Sequence, residues 1–141
     1  VIHIGLQKVI NNYKVIWVNG CFDVLHRGHI ELLKYAKSLG DFLFVGIDSD
    51  AKVRRSKGIA RPINTHEDRQ EILRALSCVD DVFIFNTKSM LEWLIKTIHP
   101  DIMVIGDDYV NKPVVGSAFA KELIFFKRLP NYASSNIIKE L

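Results

Sequence analysis

Cysteine is scarce in this chain of 141 residues: Cys21 and Cys78 are the only two, far apart and at no metal-ligand spacing. A disulfide framework and a zinc site are therefore not expected, and a reducing cytoplasm is the setting that fits. Long apolar runs are also missing. The longest, residues 43–47 and 102–105, fall far short of the roughly 20 residues that a membrane helix needs. Residues 1–10 carry neither the basic start nor the cleavage site of a signal peptide. Excess charge is small, with 19 Lys and Arg against 16 Asp and Glu for a net +3. That balance does not suggest nucleic acid, though it suits an anionic small molecule. What is present is the composition of a globular protein, 48% hydrophobic and 25% charged. The length suits a single domain spanning residues 1–141 that buries roughly two-thirds of the unfolded chain's surface.

Five short runs rich in β-branched and aromatic residues stand out, at 15–18, 42–47, 82–85, 102–105 and 123–126. Each is almost continuously apolar, as a strand covered by helices on both faces must be. Helical periodicity fills the gaps between them. Residues 29–38 place Ile30, Leu33, Tyr35 and Ala36 largely on one side and stop before Gly40. Residues 66–77 start from Thr65 and Asp68 and present Ile72, Leu73 and Leu76 as a buried stripe. Ser89 and Glu92 give a similar start signal ahead of Leu94, Ile95 and Ile98, with Pro100 closing the helix. A last helix is expected from Ser134 or Ser135, and residues 1–14 read as a helical lead-in. The alternation predicts an α/β fold: a Rossmann-like, doubly wound, parallel sheet of about five strands with helices on both faces.

Two stretches lack periodicity. Residues 51–65, with Lys52, Arg54, Arg55, Lys57 and Arg61, read as a mobile basic loop. Residues 107–118, with Asp107, Asp108, Lys112, Pro113 and Gly116, read as a second loop. The chemistry concentrates in the first strand-to-helix turn, Asn19-Gly20-Cys21-Phe22-Asp23-Val24-Leu25-His26-Arg27-Gly28-His29. In an open α/β sheet this turn lies at the carboxyl ends of the strands, where a helix N-terminus favours phosphate. Gly28 lets a phosphate approach the backbone, and His26 and His29 offer N–H donors from the first helical turn. A metal site is the weaker alternative, because an i, i+3 histidine pair without a third ligand is not diagnostic. Cys21 lacks a local activating base, and a small packing role is its commoner use. Trp17 and Trp93 read as core or helix-face residues.

The segment Asn19-Gly20-Cys21-Phe22-Asp23 followed by His26-Arg27-Gly28-His29, a G-x-F-D and an H-x-G-H placed after the first strand, resembles the signature of the cytidylyltransferase-like nucleotidyltransferases. The resemblance runs from about Val15 to Leu141. Within that family, Lys57-Gly58 with Arg61-Pro62-Ile63-Asn64 is similar to the K-G-x-x-R-P-V-N stretch of the branch that makes ADP-heptose from heptose 1-phosphate. Gly106-Asp107-Asp108-Tyr109 is similar to its G-x-D-Y, and Val114-Val115-Gly116-Ser117 and Asn136-Ile137-Ile138-Lys139 agree further. The rival branch, glycerol-3-phosphate cytidylyltransferase, has G-D-D-W and lacks R-P-x-N. Asn131-Tyr132-Ala133-Ser134-Ser135 departs from the family, which carries a small Gly and then Ser-Thr-Thr before the last helix.

The resemblance implies transfer of a nucleoside monophosphate from a nucleoside triphosphate, ATP favoured, to a heptose-type sugar 1-phosphate, with pyrophosphate released. Its alternatives are CTP with glycerol 3-phosphate, or a module that holds a nucleotide without turning it over. It implies catalytic roles for His26, His29 and Lys57, and nucleotide contacts from Gly20, Cys21, Phe22, Asp23, Gly28, Gly106, Asp108, Arg128, Ser134 and Ser135. Arg61, Asp107 and Lys112 are the candidate substrate contacts. Mg2+ is expected on the triphosphate rather than on direct protein ligands. A homodimer, and a sugar kinase that is fused or separate, complete what the resemblance implies. Plainer roles stand beside these: Lys57 and Arg128 as solvated charges, Asp107 and Asp108 as turn formers, and Asp48 or Asp50 as a helix cap.

Overall fold

A computed structural model describes residues 12–127. Five parallel strands form one sheet in the order β3-β2-β1-β4-β5: β1 Val15–Gly20, β2 Phe42–Asp48, β3 Asp81–Phe85, β4 Ile102–Gly106 and β5 Glu122–Phe126. All five expected strands are present. Helix α1 (Arg27–Ser38) joins β1 to β2, α2 (Asp50–Lys57) and α3 (His66–Arg74) join β2 to β3, and α4 (Lys88–Ile98) joins β3 to β4. Because the chain first winds outward to β3 and then returns to the other side of β1, the strand order reverses between β1 and β4. That reversal opens a crevice at the carboxyl ends of the two strands.

Alternation along β1 divides the core. Ile16 and Val18 pack with Leu33 and Ala36 of α1 and Leu73 of α3 on one face. Val15 and Trp17 pack with Leu91, Leu94, Ile95 and Ile98 of α4 on the other. Helices therefore cover both faces, and the central strands β1, β2 and β4, largely buried, have the uninterrupted apolar sequences seen above, while the edge strand β5 keeps exposed positions at Glu122 and Phe125. Gly46 on β2 gives room to Trp17, since a Cβ there would lie 2.5 Å from the indole ring.

Several local expectations are corrected. Residues 50–57 form helix α2 rather than a loop. Only Val53 among them is buried, so no apolar stripe announces the helix; its ends do the work instead. Ser49 Oγ accepts from the Lys52 N–H at 3.1 Å, Asp50 sits in the first turn, and Arg54, Arg55 and Lys57 sit in the last, where the helix dipole favours cations. In α3, Thr65 caps by accepting from the Asp68 N–H, but Ile72 is 44% exposed and the buried positions are Arg69 and Leu73. Helix α4 starts from Thr87, which accepts from the Met90 N–H, and not from Ser89. Residues 12–14 are not helical. The rest of the expected lead-in, the last helix, Arg128, Ser134 and Ser135 lie outside the described residues.

Candidate functional site

The turn after β1 is held in an unusual backbone conformation. Phe22 and Val24 both have positive φ, 52° and 56°, which for a β-branched residue such as Val24 is a strained choice. Asp23, between them, is buried. Its Oδ2 accepts from the Ile63 N–H at 2.6 Å and its Oδ1 from the Asn64 N–H at 2.9 Å. The carboxylate thus fastens the segment before α3 to the first turn. Replacing Asp23 with Ala leaves two backbone donors without their acceptor, at about 1–3 kcal/mol each when buried. Urea denaturation is expected to show a loss of about 2–4 kcal/mol for Asp23→Ala and a smaller loss for Asp23→Asn, which retains one acceptor oxygen.

Arg69 is the second clasp, and sequence reasoning missed it. Its side chain is fully buried. Nη1 donates to the carbonyls of Cys21 at 2.9 Å and Asp48 at 2.7 Å, Nε to that of Asn64 at 3.0 Å, and Nη2 to Asp50 Oδ1 at 2.9 Å. One guanidinium therefore ties the first turn, the end of β2, the start of α2 and the approach to α3 together. No periodicity could have found it, because its partners come from four separate segments.

At the start of α1, His26 is the N-cap and Arg27 the first helical residue. The His26 N–H donates to His29 Nδ1 at 3.2 Å, so the His29 ring carries its proton on Nε2. The two imidazoles stack with centroids 3.8 Å apart and planes 19° from parallel. Phe22 braces them from below, its ring 5.3 Å from that of His29. The same ring fills the space a Cβ at Gly20 would occupy, 3.2 Å away.

A cavity of about 450 Å³ lies across the crevice at the carboxyl end of the sheet. Asn19, Gly20 and Cys21 from β1 and the first turn line it, with Asp48 from the end of β2 and Gly106 from the end of β4. Leu32 of α1 borders it on one side, one helical turn beyond His29 and on the same helix face. Lys88 and Leu91 of α4 border it on the other, and Lys52 and Lys57 of α2 complete a cationic rim. Lys52 Nζ lies 3.6 Å from Asp48 Oδ1 and 5.5 Å from the Phe85 ring centroid. Burial pushes the Cys21 thiol above its ordinary range, while the charges of Lys57 and Arg69 act the other way. A protonated, half-buried thiol is a wall of this cavity rather than a nucleophile.

Of the residues singled out from sequence, Gly20, Cys21, Lys57 and Gly106 line the cavity, while Phe22 and Asp23 are buried behind it. Asp107, Asp108 and Lys112 are exposed, and from that loop it is Tyr109, Pro113, Val114 and Val115 that form the cavity wall. Lys88 is a lining residue that sequence reasoning did not single out, and Asn19, named there as the start of the first turn but given no role, lines the cavity too. Among the described residues one cluster could offer a cation three ligand atoms, Asp50, His66 and Glu67. Its atoms already serve the α2–α3 junction, where the Asp50 N–H donates to His66 Nδ1 and the His66 N–H to Asp50 Oδ1.

A family model described as cytidylyltransferase-like matches residues 17–140. The chain is 46% identical over 136 residues to the bifunctional protein HldE of Helicobacter pylori, covering 96% of this chain and 29% of that protein. It is 46% identical over 142 residues to the protein of the same name from Wolinella succinogenes, covering 97% and 30%. It thus spans under a third of the length of these relatives. Among solved structures, it is similar to a lipopolysaccharide core biosynthesis protein from Thermoplasma volcanium, with 27% identity and a TM-score of 0.64 over 86% of this chain and 99% of that one. No helix among the described residues is long and apolar enough to cross a membrane.

Proposed function

The chain belongs to the cytidylyltransferase-like family, and from that premise we propose that it is a nucleotidyltransferase. Its reaction would move the nucleoside monophosphate of a triphosphate, ATP favoured, onto a heptose-type sugar 1-phosphate and release pyrophosphate. The observation that carries this reading is the stacked His26–His29 pair at the head of α1, a helix whose Leu32 lines a cavity rimmed by Lys52, Lys57 and Lys88, although neither histidine lines it.

The chemistry asks little of such a site beyond position and charge. A phosphomonoester with a second pKa of about 6 is already mostly dianionic at neutral pH, so its oxygen needs no general base. That oxygen forms a bond to the α-phosphorus, the bond from the α-phosphorus to the β-bridging oxygen breaks, and pyrophosphate carries the electron pair away. His29 Nε2–H and the His26 ring would donate to the phosphate oxygens on which charge builds. The lysines would hold the two anions against their mutual repulsion. Mg2+ belongs to the substrate as the counter-ion of the triphosphate. Asp48 is the single carboxylate among the lining residues, and it is paired with Lys52, a donor set suited to anions rather than to an all-protein metal site.

The likeness to bifunctional HldE proteins supports the heptose branch, as do the segments 57–64 and 106–109. Because this chain matches only one part of those proteins, we assign a sugar-phosphorylating partner activity to a separate region or chain. The reading is tested by a matrix of ATP and CTP against heptose 1-phosphate and glycerol 3-phosphate, followed by pyrophosphate release. ATP with heptose 1-phosphate is expected to give the highest kcat/KM. A higher value for CTP with glycerol 3-phosphate overturns the acceptor, and no pyrophosphate from any pair leaves only a nucleotide-holding module.

A further inference from the structure

We infer that Asn19 is an acceptor-binding residue whose amide is aimed into the cavity by Trp17. This inference rests on the transferase reading above and names a determinant within it. Asn19 is the penultimate residue of β1, an interior strand, yet it is exposed because it opens onto the crevice. Its Oδ1 accepts from the indole N–H of Trp17 at 2.9 Å.

An indole nitrogen can only donate. It therefore selects one of the two orientations available to a primary amide, the one with oxygen toward Trp17 and Nδ2 turned away. Among the described residues, Nδ2 has no hydrogen-bonded acceptor. A fully buried tryptophan in the middle of the sheet thus fixes the polarity of a cavity-lining group: the cavity receives an N–H donor there, never a carbonyl. Gly46 makes the arrangement possible. It pairs with Asn19 across β1 and β2, and its missing Cβ is what lets the indole lie across the neighbouring strand.

The side of the sheet indicates which substrate Asn19 meets. Trp17 and Asn19, two residues apart on a strand, face α4, the helix whose Lys88 and Leu91 form part of the cavity wall. The histidine pair stands at the head of α1, which packs on the opposite face. Val114 and Val115, from the loop that carries the candidate substrate contacts Asp107 and Lys112, pack on the α4 face and line the cavity there, so Asn19 is assigned to the acceptor's half, where a fixed donor suits a ligand rich in hydroxyl and phosphate oxygens. Trp17 is in turn a positioning residue.

The test measures KM separately for ATP and for heptose 1-phosphate. Asn19→Asp keeps the size of the side chain and an oxygen for Trp17 but turns a carboxylate oxygen toward the anionic acceptor. It should raise the sugar-phosphate KM by more than about tenfold, with the ATP KM within about twofold of wild type. Asn19→Ala should raise the same constant by about tenfold. Trp17→Phe keeps the ring and loses the N–H, so it should raise it by about threefold in the Asn19 protein but add nothing in the Asn19→Ala background. A sugar-phosphate KM unchanged in Asn19→Asp, both KM values moving together, or additive effects of Trp17→Phe and Asn19→Ala would each overturn the inference. Wild-type enzyme that releases no pyrophosphate with heptose 1-phosphate contradicts the proposed acceptor instead. The same variants are then read with CTP and glycerol 3-phosphate, where an unchanged acceptor KM again overturns the role of Asn19.

Discussion

Replacing either His26 or His29 by alanine is expected to lower kcat by about two to three orders of magnitude, the usual loss when one donor to a charge-developing oxygen is removed. The two side chains are not equivalent in what else they do. His29 Nδ1 accepts from the His26 N–H and so closes the first turn of α1, a capping contribution of about 1 kcal/mol. His29→Asn separates the roles, since its Oδ1 can still serve the cap while nothing reaches the place of Nε2. Thermal unfolding of His29→Asn should lie close to wild type, and its turnover should be as low as that of His29→Ala. Turnover near wild type in His26→Ala and His29→Ala would remove the pair from the chemistry and leave it a helix-capping device.

The largest effect on stability is expected at Arg69. Substituting methionine keeps much of the volume but strips the donors from the carbonyls of Cys21, Asp48 and Asn64 and leaves the Asp50 carboxylate without its cation. Breaking a buried pair from one side costs about 3–5 kcal/mol, a large part of the stability of a domain this size. Urea denaturation should show it as a lower midpoint with little change in slope. Arg69→Lys should recover only a fraction, because a single ammonium cannot span the separate positions that the guanidinium fork reaches. A loss below about 1 kcal/mol in Arg69→Met would mean that the four segments are held together by something other than this side chain.

The parts of the molecule legible in sequence are those whose signal is local. The central strands were visible because a strand covered on both faces has to be apolar throughout, and 42–47 or 102–105 can hardly be anything else; β5 was visible from its Leu123-Ile124-Phe125-Phe126 run although it is only half-covered. The first turn was legible for a similar reason: its glycines, paired histidines and position after β1 together specify a strand-to-helix turn at the carboxyl end of the sheet. Helix α2 escaped because only Val53 anchors it, although Ser49 three residues before Lys52 was a cap in plain view. Arg69 escaped for the opposite reason. It occupies the buried stripe of α3 that periodicity assigned to Ile72, and a charged residue earns such a position only through partners brought together by the fold. Asn19 belongs with Arg69, since an amide at a strand end acquires its meaning from the indole two residues earlier and from the bare backbone of Gly46 beside it.

The central claim, transfer of a nucleoside monophosphate onto a phosphate oxygen, is tested most directly by a phosphorus NMR spectrum of the protein with Mg2+, ATP and heptose 1-phosphate. The account predicts loss of the three ATP resonances together with the sugar phosphate singlet. In their place should appear free pyrophosphate and a pair of mutually coupled doublets from a mixed diphosphate, one phosphorus from each substrate. AMP or ADP as the nucleotide product, with the sugar phosphate singlet undiminished, would contradict it.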